Sequence, residues 1–194
     1  MPEFVLASGS PQRRAILEQL GVAFRVVVSH AEELSEGPPE EVVLENAYRK
    51  AHAVATGLQA SSHEENARVL GVDTVVVLGG RIYGKPADAA GARAGLRALS
   101  GHTHRVLSGV CLIENGVPRT AAAMTSVTFR ALDETVIDWY LAAGEWRGRA
   151  GGYAIQGRGA ALVAGIDGDY LNVVGLPVQT LIELAPDLVF AASF

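Results

Sequence analysis

The chain is predicted to be an α/β protein built on a mixed sheet, and three features of the sequence say so. Helical and strand patterns alternate along its length, which is the order of elements in α/β proteins. Residues 69–78 are apolar almost without interruption, as in a strand buried on both faces. Asn115-Gly116 separates two β-rich runs and is a strong hairpin signal, so at least one pair of strands is antiparallel.

The elements follow in order. Residues 4–7 form a short strand. Ser10 reads as an N-cap with Pro11 at the first helical position, and Gly21 lies just past the end of that helix. Residues 24–29 are β-rich, and 32–41 form an acidic loop with prolines that leads into a helix ending near Gly57. Leu44, Ala47, Tyr48, Ala51 and Ala55 make its apolar stripe. Residues 59–68 are polar and expected to be exposed. The strand over 69–78 turns at Gly79-Gly80 into a short partner ending at Tyr83. A helix after Pro86 carries Leu96 and Leu99, and the strands of the hairpin cover 104–113 and 118–129. A helix spans 133–143 and stops at Gly144. Residues 161–166 and 171–174 read as strands, and a last helix starts near Pro177.

Composition narrows the function. At 194 residues, with 49% hydrophobic and 19% charged residues, the chain is long enough to bury roughly 70% of its unfolded surface and is not disordered. It is expected to fold as a single domain over residues 1–194. No apolar run approaches the ~18 residues of a membrane span, and the first residues carry an acid where a signal peptide needs positive charge. Cys111 stands alone, which excludes a disulfide framework and a Cys-based zinc site. A cytoplasmic protein is the expectation. The net charge is −5 and the basic residues are scattered, unlike the basic face of a nucleic-acid binder. Of the 16 basic residues only Lys50 and Lys85 are lysines, and a compact ammonium suits a single phosphate oxygen where a guanidinium is a wide fork.

Several residues could carry chemistry. Arg13, Ile16, Leu17 and Leu20 share one helical stripe, so Arg13 points inward and Arg14 outward. With Ser8, Ser10 and the free N–H groups of the first turn, Arg13 makes an anion pocket; a snorkelling side chain or a salt bridge is the structural alternative. Asp73 lies inside the apolar strand, where a carboxylate needs a metal, a ligand, a cap or a cationic partner. Lys50, one turn after Asn46, flanks its helix's stripe and alone reads as a surface lysine. Lys85 sits at a strand exit before Pro86, a favourable place for a site residue. Glu32 and Glu33 read as part of a solvated acidic run. His102 and His104 share a strand face but lack a third metal ligand. Asp167 and Asp169 read as a turn. Gln156, among glycines, could read a base edge or cap a loop.

Taken in order, Leu6-Ala-Ser-Gly-Ser-Pro-Gln-Arg-Arg14, Glu45-Asn-Ala-Tyr-Arg-Lys-Ala51, Leu70-Gly-Val-Asp-Thr-Val-Val76, Gly84-Lys-Pro86, Leu99-Ser-Gly-His-Thr-His104, Ala150-Gly-Gly-Tyr-Ala-Ile-Gln-Gly157 and Gly175-Leu-Pro177 closely resemble the Maf family of nucleoside triphosphate pyrophosphatases. The resemblance runs from Leu6 to about Leu184, and both lysines fall on motif positions. It implies an elongated mixed-sheet α/β fold with two lobes around a cleft, similar to inosine triphosphate pyrophosphatases. It implies hydrolysis of a nucleoside triphosphate to the monophosphate and pyrophosphate with a divalent cation, Mg²⁺ or Mn²⁺. Asp73 matches the proton acceptor, and Ser8, Arg13, Glu33, Lys50 and Lys85 match further positions tied to activity. The Tyr-x-Ile-Gln motif looks like the branch that prefers dTTP and UTP, with Thr74 and Gln156 on positions linked to that choice. Gln12 departs from the usual Arg at a position tied to substrate preference, and Arg149 stands where Lys is common.

The chemistry is consistent with that implication. A triphosphate carries about four negative charges, and phosphoryl transfer is chiefly positioning and charge stabilisation. Arg13, Lys50 and Lys85 supply positive charge. Asp73 and Glu33 can both hold the metal, or one can orient the attacking water while the other binds it. Two alternatives stay open: the same chemistry on a modified purine triphosphate, which Gln12 keeps in view, and a nucleotide-binding regulator of cell division without turnover. A nucleoside triphosphate is the expected partner, with no nucleic-acid polymer and no membrane, and a homodimer is compatible with the sequence.

Overall fold

The computed structural model describes residues 3–60 and 67–190. Seven strands form one mixed sheet: β1 (Phe4–Leu6), β2 (Arg25–Val26), β3 (Arg68–Leu78), β4 (Arg81–Tyr83), β5 (Thr103–Glu114), β6 (Val117–Phe129) and β7 (Val163–Asp167). Their order is β2-β1-β3-β5-β6-β7, with β4 paired to β3 beside this path. β1 runs parallel to β2 and β3, and the remaining pairs are antiparallel. The helices are α1 (Pro11–Gln19), α2 (Pro39–Ala60), α3 (Ala89–Leu99), α4 (Glu134–Ala142), α5 (Tyr170–Val174), α6 (Val178–Leu184) and α7 (Asp187–Phe190). The α/β class with a mixed sheet flanked by helices is therefore as the sequence predicts.

The sheet's two faces are covered differently. Along β3 the odd-numbered residues face α2, where Val69 packs with Ala47, Ala51 and Val54. The even-numbered residues face the other side, and there the apolar packing is interrupted. Leu70 and Val72 belong to a cluster with Ile16 and Leu17 of α1 and Leu181 of α6. Val76 belongs to a second cluster with Leu96 and Leu99 of α3 and Ile137 and Tyr140 of α4. Thr74 lies between the two clusters, so the gap between two cores on one sheet face becomes a cleft.

Most predicted boundaries hold, with four differences. The β-rich run at 24–29 pairs only through Arg25–Val26. Residues 171–174, read as a strand, form α5 instead: the Asp169 side chain accepts the Leu171 N–H, and Gly175 at φ 132° ends the helix after one turn. The short α7 was not legible in the apolar pattern. The polar stretch 59–68 falls partly outside the described residues, and Arg68 at its end is buried at the start of β3. No helix among the described residues is long and apolar enough to cross a membrane.

Candidate active site

The site begins at a gap in the edge of the sheet. β1 pairs with β3 from Arg68 to Leu70, and β4 pairs with it only from Val76 to Leu78. β5 covers β3's opposite edge from Val69 to Val77. Asp73 and Thr74 therefore sit where the β1/β4 edge is open, and the alternation of a strand sends their side chains to opposite faces.

On one face, two glycines decide how α2 docks. A Cβ at Gly71 would lie 2.1 Å from the Ala47 carbonyl oxygen, and one at Gly109 would lie 2.1 Å from that of Val43. The helix backbone thus rests directly on the sheet, as glycine within a strand permits. This contact sets the rotation of α2. Its buried face includes Val43, Ala47 and Val54 but also Asn46 and Lys50, whereas Leu44 and Tyr48 are only half-buried. Lys50 is accordingly an inward lysine and not a flanking surface one. Its Nζ lies 2.6 Å from Asp73 Oδ1 and 3.1 Å from Glu33 Oε1. Asn46 donates from Nδ2 to Asp73 Oδ2 at 3.1 Å. Both oxygens of Asp73 are thus held, and Glu33 is the more exposed carboxylate (48% against 9% for the side chains).

On the other face, Arg13 is buried with neutral partners only. Its Nε donates to the Gly175 carbonyl oxygen at 2.8 Å, Nη1 to Ser8 Oγ at 2.9 Å and Nη2 to Thr74 Oγ1 at 3.2 Å. Thr74 Oγ1 also bonds Ser108 Oγ at 2.8 Å, so its hydroxyl is committed to Arg13 and Ser108. Among the described residues Arg13 has no ion-pair partner. Burial lowers its pKa, while Asp73 and Glu33 act in the opposite direction from a distance. An arginine stays protonated at neutral pH all the same, so this is a desolvated positive charge without a contacting anion.

Arg13 forms part of the wall of a cavity of about 620 Å³. Ser8, Gln12, Glu33, Lys50, Thr74, Lys85 and Gln156 line it too, so eight of the nine residues singled out for the site meet in one place. The ninth, Asp73, is behind the wall, joined to it through Lys50. Ser10 caps α1 by accepting the Arg13 N–H, which aims the helix N-terminus at the cavity. Lys85 is exposed and makes no hydrogen bond or ion pair with any described residue, and Gln156 is exposed on the turn between residues 155 and 158. Two further wall residues and one behind the wall are not among the site residues singled out from the sequence. Ser108 is a fully buried hydroxyl in an apolar strand, which was a usable signal. Arg149 lines the cavity with a buried Nε that has no hydrogen-bond partner. Glu145 lines it as well and accepts the Arg158 N–H at 2.7 Å, steadying the Gln156 turn.

The histidines do not make a metal centre. His102 bonds the Ser100 carbonyl oxygen on the surface, whereas His104 is buried with Nε2 2.9 Å from the Tyr153 hydroxyl. Burial pushes the His104 pKa down to about 4, so this imidazole is neutral and packs among Phe129 and Tyr153. No cluster of three His, Cys, Asp or Glu exists among the described residues. Asp73 and Glu33 are the available pair of oxygen donors, with the Lys50 ammonium between them. A hard divalent ion held by one or two carboxylates completes its shell with phosphate oxygens and water, so this donor set fits one together with a bound polyphosphate.

Comparison with known proteins agrees with the geometry. Residues 3–188 match the family model described as Maf-like protein. A dTTP/UTP pyrophosphatase from Deinococcus radiodurans is 45% identical over 184 residues, covering 94% of this chain and 91% of that protein. Another from Bacillus cytotoxicus is 47% identical over 185 residues, covering 94% of each chain. One from Pelotomaculum thermopropionicum is 46% identical over 188 residues, with 95% of each covered. The crystal structure of a nucleoside-triphosphatase / dITP/XTP pyrophosphatase from Mycobacterium abscessus aligns with 99% of this chain at 15% identity and a TM-score of 0.45, too low a likeness to support an argument.

Proposed function

Since the chain belongs to the Maf-like protein family, we propose that it hydrolyses nucleoside triphosphates, dTTP and UTP foremost, to the monophosphate and pyrophosphate. The observation that carries this reading is Arg13 on the wall of a 620 Å³ cavity, a desolvated charge with no ion-pair partner among the described residues. A buried charge of this kind is stabilised when an anion arrives, and a cavity of this size is in the range that takes a nucleotide.

The residues divide by position. Arg13, the N-terminus of α1, Lys85 and Arg149 receive the phosphate chain. Ser8 and Thr74 hold the guanidinium of Arg13 in place. Lys50 can turn from the carboxylates toward a phosphate oxygen, since its ammonium already sits at the cavity wall. Water attacks the α-phosphorus; the bond to the bridging oxygen of the β-phosphate breaks and pyrophosphate leaves. Asp73 accepts the proton of that water, directly or through Glu33. Asp73 and Glu33 would hold Mg²⁺ or Mn²⁺, which would neutralise phosphate charge there. Gln156 presents an amide that can pair with the O4 and N3–H edge shared by thymine and uracil.

A pyrophosphate-release assay over pyrimidine, purine and modified triphosphates with Mg²⁺ tests the reading. UTP and dTTP should be the best substrates, giving UMP and dTMP with pyrophosphate, and CTP should be poorer. Release of inorganic phosphate with a diphosphate product would refute the reaction. Purine triphosphates turned over faster than UTP and dTTP would refute the preference alone.

A further inference from the structure

Asn46 is 2% exposed, and both its amide nitrogen and its carbonyl oxygen have partners. Its Oδ1 accepts the Leu34 N–H at 2.7 Å, and its Nδ2 donates to the Leu34 carbonyl oxygen at 3.0 Å and to Asp73 Oδ2 at 3.1 Å. A primary amide has two N–H groups, so these contacts fix which way the side chain points. The N–H of Leu34 belongs to the peptide unit that joins it to Glu33. Holding it therefore fixes the backbone from which the Glu33 carboxylate extends. Residues 27–36 form neither helix nor strand, and α2 otherwise reaches this loop through Lys50 at the Glu33 carboxylate (3.1 Å) and Arg49 at the Glu32 carbonyl oxygen (3.3 Å).

Asn46 and Lys50 stand four residues apart on one face of α2, and each bridges the same two elements. Lys50 joins Glu33 to Asp73 through charge, and Asn46 joins Leu34 to Asp73 through neutral hydrogen bonds. The charged bridge loosens when Lys50 is drawn to a phosphate. The neutral one does not, because an amide has no charge for the phosphate to compete for. We propose that Asn46 is the positioning residue that keeps Glu33 and Asp73 at working separation while Lys50 engages the substrate. The proposal rests on the pyrophosphatase reading for its consequence, though not for its geometry.

Two variants test it. Asn46→Ala removes all three bonds and keeps a strong helix former at that position. It should lower kcat for UTP at least tenfold while KM changes less than threefold. Asn46→Asp is nearly isosteric but sets an oxygen against both the Leu34 carbonyl and the Asp73 carboxylate, and kcat should fall further, by about 10²-fold. Hydrogen exchange read at the Leu34 amide should be at least tenfold faster in Asn46→Ala, with the Val54 amide of α2 unchanged. A normal kcat in Asn46→Ala, with or without a lower Tm, overturns the proposal, as does a Leu34 amide that stays protected. If Asn46→Asp does not fold, Asn46→Ala decides. Should the wild type hydrolyse no triphosphate, the functional reading has failed, and the exchange measurement still judges the bridge.

Discussion

Two arginines are buried among the described residues, and their surroundings are opposite. Arg68, at the start of β3, is paired with Asp187 at 2.5 Å and Glu114 at 3.0 Å, and its presence draws the Asp187 pKa down. Arg13, at the start of α1, has only a carbonyl and two hydroxyls. Burying a charge costs several kcal/mol, and a carboxylate is the usual compensation. Arg68 has it and ties the end of the sheet to α7. Arg13 lacks it among the described residues, where the sheet face opens into a cavity. A desolvated charge left unpaired by its own chain is poised for a ligand, so such an arginine marks a candidate site. His104 shows a third solution, since it is buried by losing its charge altogether.

The largest effect should come from Asp73, the residue on which the Lys50 and Asn46 contacts converge. Asp73→Asn keeps size and removes the negative charge, and kcat should fall about 10²–10⁴-fold, as loss of a catalytic acid or base does. Steady-state kinetics with a melting curve checks this, and an active variant would remove Asp73 from the centre. The paired comparison comes next. Arg13→Met keeps the apolar stem and deletes the charge, so kcat/KM should drop about 10²-fold while Tm stays level or rises, because a functional charge no longer has to be buried. Lys85→Ala, exposed and free of partners, should lower kcat/KM more than tenfold with stability within about 0.5 kcal/mol.

Arg68→Met should do the reverse of Arg13→Met. Its two carboxylates are partly exposed and keep water, so the loss is about 1–2 kcal/mol, or roughly 2–8 °C in Tm for a chain of this size. Activity should stay within about threefold of wild type; a collapse of activity without a change in Tm would erase the distinction between the two arginines. An effect confined to acid pH concerns His104. Above about pH 6.5 the imidazole is neutral in the folded and the unfolded chain. As pH falls, the unfolded chain takes up a proton that the folded chain refuses until about pH 4, so stability declines through that window by up to about 3 kcal/mol. In His104→Gln, unfolding followed by denaturant between pH 7 and 5 should show a shallower decline. An identical slope would mean that His104 is not the group responsible.

Much of this architecture could be read from residue patterns, and the exceptions have physical causes. The N-cap at Ser10, the hairpin at Asn115-Gly116 and the doubly buried β3 were legible because each rests on local chemistry. The inward direction of Arg13 followed from its i, i+3, i+4 stripe. By position alone Lys50 reads as a surface lysine, because Leu44 and Tyr48 suggest a different apolar stripe for α2, whereas the helix is rotated by its seat on Gly71 and Gly109. Those two glycines inside apolar strands were the signal that could have corrected it. Residues 171–174 looked like a strand because Leu171, Val173 and Val174 favour one, and what overrides them is tertiary. Asn172 is buried and donates to the Val106 carbonyl oxygen and to Thr125, a pairing far apart in sequence. Arg149 and Glu145 entered the cavity through loop geometry, which no periodicity reports.

If the phosphates of a nucleoside triphosphate complete the unpaired charge of Arg13, binding depends on that arginine and not on Arg68. Calorimetric binding of an α,β-imido analogue of UTP, with Mg²⁺, to wild type, Arg13→Met and Arg68→Met tests it most directly. Wild type and Arg68→Met should bind with the same affinity, and Arg13→Met should bind about 10²-fold more weakly. An Arg13→Met protein that binds the analogue as tightly as wild type would show that the phosphates do not engage this charge.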